Sequence, residues 1–87
     1  MADIHLSPRE TQVLQGIADG KTREYVAHEL GIAVHTLYRY LNMAMRKLGA
    51  KSTEEAIATS VALGLIFIDL KRIYIVIEIE RSIQNSF

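Results

Sequence analysis

Apolar residues along this chain recur first at the spacing of helices and then, past Gly64, at the spacing of strands. Leu6-Ser7-Pro8-Arg9-Glu10 opens the first predicted helix. Ser7 is a capping residue, Pro8 suits the first helical position, and Glu10 sits three after Ser7, as a capping box requires. Val13, Leu14, Ile17 and Ala18 follow on one face, and Gly20 ends the run. Thr22 caps a short second helix with Val26, Ala27 and Leu30 inward, and Gly31 breaks it. The third helix, Val34 to Leu48, has the clearest pattern. Leu37, Leu41, Ala44 and Leu48 form one stripe, with Val34 and Met45 at one side and Tyr40 at the other. His35, Tyr38, Arg39, Asn42 and Arg46 form the opposite stripe. Gly49 closes it. Ser52-Thr53-Glu54-Glu55 predicts a second capping box, opening a fourth helix through Ala56, Ile57, Val61 and Leu63 as far as Gly64.

Beyond Gly64 the period changes. Ile66, Ile68 and Leu70 alternate with Phe67 and Asp69, and Ile73, Ile75, Ile77 and Ile79 alternate with Tyr74, Val76, Glu78 and Glu80. Period two, with isoleucine on one face and charge entering on the other, predicts a strand or weak hairpin. Lys71-Arg72 is a poor tight turn, having neither Gly nor Asn. A helix extending the fourth is the alternative, disfavoured by the strict alternation of β-branched residues. The expected architecture is therefore mainly α: four helices over 1–66, then an apolar, strand-like extension over 67–87. So apolar an edge recruits other chains unless it is covered. It either folds back on the fourth helix or pairs across a two-fold axis. The second is favoured: a homodimer built from Ile57, Val61 and Leu65 together with Ile73, Ile75, Ile77 and Ile79.

Composition narrows the class. With 87 residues the chain makes one domain whose thin core an oligomer would extend. The absence of cysteine excludes a disulfide framework, a thiolate metal site and a cysteine nucleophile. The residues after Met1 do not read as a leader. The most apolar stretch, Val61 to Ile79, is broken by Asp69, Lys71 and Arg72, well short of the roughly 18 apolar residues a membrane helix needs. A soluble, cytoplasmic protein without a membrane partner is expected. Ten basic and ten acidic side chains cancel, yet their placement is uneven. Gly31 to Thr53 holds Arg39, Arg46, Lys47, Lys51 and His35 with no acid, between acids on either side.

Two short helices joined by Gly31-Ile32-Ala33 have the layout of a helix-turn-helix. The first helix holds the second so that its outer stripe enters a DNA major groove, where side chains meet base edges. Tyr38, Arg39 and Asn42 are the candidate readers, with His35, Thr36, Arg46 and Lys47 near the flanks. Arginine bonds guanine bidentately and asparagine bonds adenine, so these residue types suit direct readout.

Leu6-Ser7-Pro8-Arg9-Glu10, Val13-Leu14, Gly20-Lys21-Thr22, Glu29-Leu30-Gly31-Ile32, Thr36-Leu37 and Arg46-Lys47-Leu48-Gly49-Ala50-Lys51 together resemble the LuxR/GerE-type DNA-binding domain. Glu55-Ala56 through Leu63-Gly64-Leu65-Ile66 resembles the end of that domain. The resemblance implies four helices with the third reading DNA, and a dimer often formed through the fourth. It implies base reading by Tyr38, Arg39 and Asn42, and phosphate contacts by Lys21, Thr22, Arg23, Thr36, Arg46 and Lys47, with His35 placed to join them. The chain departs from the pattern at Ala33, where the family has Ser or Thr, and at Val34 and His35, where it has charged residues. Tyr38 replaces a common lysine and Tyr40 a common histidine. These changes spare the fold and weaken the electrostatics of DNA binding.

Other readings compete. Arg46 and Lys47 would be structural if they paired with Glu10 or another acid. His5, His28 and His35 lack metal-ligand spacing, and Glu54-Glu55 is explained by capping, so no metal, cofactor or catalytic site is expected. The leading function is a stand-alone, sequence-specific regulator of bacterial or phage type, controlled by abundance or by a partner. The alternative is a protein-interaction module, an anti-activator or adaptor binding a regulatory protein, which Tyr38, Tyr40, Met43 and the apolar tail favour. A sigma-factor region-4-like module fits less well, because Lys51 to Ile66 runs directly into a capped fourth helix.

Overall fold

The computed structural model describes residues 3–69 and Arg81. Four helices are present: α1 (Pro8–Ala18), α2 (Arg23–Leu30), α3 (Val34–Leu48) and α4 (Thr53–Ala62). Each start but one has a side-chain cap. Ser7 Oγ accepts from the Glu10 N–H at 3.1 Å, and the Glu10 carboxylate accepts from the Ser7 N–H at 2.7 Å, completing the expected box. Thr22 Oγ1 accepts from the Tyr25 N–H at 3.1 Å. At α4 the expected second box is shifted. Ser52 Oγ accepts from the Glu55 N–H, but the Glu55 carboxylate accepts from the N–H of Lys51, one residue before the cap. Helix α3 begins after Ala33 with no side-chain cap. Gly31 and Gly49, both at φ +67°, end α2 and α3 in the left-handed conformation that favours glycine.

The core forms around α3. Its stripe of Leu37, Leu41, Ala44 and Leu48 is buried against Val13 and Leu14 of α1, Val26 and Ala27 of α2, and Ala56 of α4. Ile66, beyond α4, closes the cluster, and Ile17, Ala18 and Leu30 pack around it half-buried. The crossing of α1 and α2 depends on Gly16. A Cβ there would stand 2.7 Å from Val26 Cγ2, so only glycine permits the approach without rearrangement.

The described residues contain no strand. The extension was expected to turn strand-like from residue 67, and Phe67 to Asp69 do not. The Phe67 backbone is satisfied by a side chain instead. Gln15 Nε2 donates to the Phe67 carbonyl at 2.7 Å, and the Phe67 N–H donates to Gln15 Oε1 at 3.0 Å. A side-chain amide offers the same donor–acceptor pair as a peptide, so this short stretch needs no sheet partner. The rest of the expected extension, with Lys71-Arg72 and Ile73, Ile75, Ile77 and Ile79, lies outside the described residues. No described helix is long and apolar enough to cross a membrane.

Candidate nucleic-acid interface

The Gly31-Ile32-Ala33 turn is tied down at both sides. The Ile32 N–H donates to the Ala27 carbonyl at 3.0 Å, and the Ile32 side chain packs on the core. With its apolar stripe buried, α3 must present its polar stripe outward. His35, Tyr38, Arg39, Asn42, Met43 and Arg46 are all exposed, and Thr36 is half-buried. No acid lies on α3, and Arg39 and Arg46 form no ion pair among the described residues. The three candidate readers thus share the exposed, acid-free outer face of α3 with two guanidinium groups that have no ion-pair partner among the described residues. Met43, 42% exposed, brings an apolar group to that surface.

Lys47 is differently placed. Its Nζ stands 2.7 Å from Glu10 Oε1, the oxygen that also takes the Ser7 N–H, so the weighed structural pairing is present. Glu10 is fully buried and Lys47 is 40% exposed. Burial pushes the Glu10 carboxyl upward, but the hydrogen bonds from Lys47 and from Ser7 outweigh it and hold the group below the usual carboxylate range. Its second oxygen, Oε2, is buried with no hydrogen-bond partner.

The candidates at the start of α2 divide by role. Lys21 bonds Glu29 at 2.9 Å, which raises its ammonium above the ordinary range, and it lies over the Tyr25 ring. Thr22 is occupied as the cap of α2. Half-buried Arg23 donates from Nη2 to Thr53 Oγ1 at 3.3 Å, and its guanidinium carbon is 5.9 Å from the Tyr38 ring centroid.

Among the candidate dimer residues, Ile57 and Leu65 are half-buried against the subunit's own core, while Val61 remains exposed. Leu63, not assigned to that interface from the sequence, is 51% exposed. Gln15 and Thr53 carry no sequence signal for their roles, since their partners lie 52 and 30 residues away. Among the described residues, no three acidic or histidine side chains gather as a metal site.

The model of the GerE family, bacterial regulatory proteins of the luxR family, matches residues 5–60. The transcriptional activator protein PhzR of Pseudomonas fluorescens is 38% identical over 64 residues, covering 74% of this chain and 26% of PhzR. The chain spans about a quarter of the length of the curated relatives it matches. The solved structure of the transcription factor GerE superposes with a TM-score of 0.71 at 23% identity, covering 74% of this chain and 96% of GerE. A Vibrio cholerae VqmA dimer, described as a LuxR-type receptor with a target DNA, superposes with a TM-score of 0.69 at 27% identity. That match covers 75% of this chain and 30% of VqmA.

Proposed function

Since the chain belongs to the luxR family of bacterial regulatory proteins, we propose that it is a dimeric, sequence-specific transcriptional regulator acting in the cytoplasm through α3 in the major groove. The carrying observation is the acid-free outer face of α3, where Tyr38, Arg39 and Asn42 are exposed together and Arg39 and Arg46 have no ion-pair partner among the described residues. Arg39 and Asn42 read base edges, with Tyr38 beside them. Arg46, His35 and Thr36 meet phosphates, joined by Lys21 and Thr22 just ahead of α2, while Arg23, a further phosphate candidate, is turned onto Thr53 and Tyr38. Lys47, already paired with Glu10, joins phosphate binding only through the part of its side chain that stays exposed. The family is one of transcription regulators, and no catalytic role is assigned.

Selection of bound sequences from a random duplex pool tests this reading, with an enriched inverted repeat as the expected result. Arg39→Ala should then cost about 1–3 kcal/mol on the best site and relax preference at one base pair. Arg46→Ala should weaken all sequences alike and flatten the salt dependence by about one phosphate. Equal, sequence-blind losses from both variants would remove Arg39 from the readers. Exposed Val34, Tyr38 and Met43 favour a second reading, in which the same face docks on a regulatory protein. Absence of any salt-dependent binding to bulk duplex DNA would select it.

A further inference from the structure

Arg23 is spent on the protein to a degree that a phosphate contact does not explain. It leaves the first position of α2, bonds the hydroxyl of Thr53 at the first position of α4, and covers the ring of Tyr38 on α3. One side chain therefore touches three helices. Its Nε is buried without an acceptor, a cost that an arginine serving only phosphate would avoid by extending into water. Tyr38 is 43% exposed, and a ring so placed on a helix surface would otherwise sample several rotamers. A guanidinium lying over the ring, its carbon 5.9 Å from the centroid, limits that freedom, and the Thr53 hydroxyl anchors the guanidinium.

We infer that Arg23 is a positioning residue for DNA reading: anchored on Thr53, it holds the Tyr38 ring in one orientation and so sets preference at the base pair that Tyr38 meets. This rests on the DNA-binding reading above. The contact links the start of α4 to the reading face, so a change at Thr53 should be felt at the same base pair. Lysine keeps the charge at position 23 but lacks the planar guanidinium that lies over the ring while one of its N–H groups bonds Thr53.

The test compares the full chain with Arg23→Lys, Thr53→Val, Tyr38→Ala and the Arg23→Lys/Tyr38→Ala pair. Base preferences come from random-pool selection, salt slopes from bulk duplex binding, and Tyr38 ring-proton shifts from NMR. Arg23→Lys is expected to leave the salt slope unchanged, move the Tyr38 resonances, and flatten preference about two- to fivefold at one base pair, the size of an exposed cation–π contact. Thr53→Val should flatten the same base pair, and the double variant should be no worse there than Tyr38→Ala. Additive losses in the double variant, unmoved Tyr38 resonances, or a uniform loss across sequences with a shallower salt slope would each overturn the inference. The last would make Arg23 a phosphate contact. Failure of the unmodified chain to bind duplex DNA would instead defeat the regulator reading, and this inference with it.

Discussion

At Glu10 one carboxylate serves two ends of the fold: it closes the capping box of α1 and receives Lys47 from the last turn of α3. Its buried position makes the charge expensive, and its depressed pKa means the two donors more than offset that expense. A folded-state pKa below the unfolded one stabilises the fold above the ordinary carboxylate range, and the contribution is lost as pH falls through the folded value. Glu10→Gln keeps the shape but not the charge, so it should cost about 1–3 kcal/mol near neutral pH. Because glutamine does not titrate, the gap to the parent chain should narrow on acidification toward about pH 3. Urea midpoints at both pH values check this, and a gap that stays constant would mean the carboxylate's charge is not what binds α1 to α3.

Helix starts divide this chain into what its sequence discloses and what it does not. Ser7 and Thr22 cap with backbones at φ −67°, ψ 161° and φ −69°, ψ 157°, and Ala33 adopts φ −71°, ψ 153° with no hydroxyl to offer. A serine would enter that geometry unstrained, so Ala33→Ser should stabilise by about 0.5–2 kcal/mol. In a domain this small, each 1 kcal/mol raises the thermal midpoint by roughly 4–8 °C. An unchanged midpoint would mean the first amides of α3 are already satisfied in solution. Caps, left-handed glycines and the Leu37-Leu41-Ala44-Leu48 stripe were legible because each is a local rule acting within a few residues. The outward set Tyr38, Arg39 and Asn42 was legible as its complement. Gln15 with Phe67, and Arg23 with Thr53 and Tyr38, were not, because only the packed helices bring them together. Alternation at Ile66, Phe67 and Ile68 gave a strand signal that the structure resolves otherwise. Ile66 is buried in the core while Phe67 is held by Gln15, so alternate burial arises here with no neighbouring strand among the described residues.

For the molecule as a whole, the question is how two copies of α3 would be spaced. Helix α4 buries Ala56 and Ser60, and at 100° per residue its opposite side carries Ala58, Val61 and Ala62, all exposed, with Ile57 half-buried at the edge. Past Glu54 and Glu55, which lie exposed in the first turn, that side is apolar with small residues, which lets a second helix approach closely. Ile57 and Leu65 already serve the subunit's own core, so Val61 is the expected centre of a two-fold contact. Such a contact would fix the separation of two reading helices and demand an inverted repeat in the DNA. Val61→Lys adds a charge at a position 36% exposed, where the folded subunit tolerates it and a packed interface does not. Light scattering over a range of concentrations should give a dimer for the parent chain and a monomer for the variant, with helical circular dichroism unchanged. Affinity for the paired site should fall more than about tenfold, because the second α3 is no longer tethered beside the first. Binding to bulk DNA at low salt should persist through each separate subunit. A Val61→Lys chain that remains dimeric and still selects the inverted repeat would move the interface off α4, and a parent chain that stays monomeric at every concentration would end the dimer proposal.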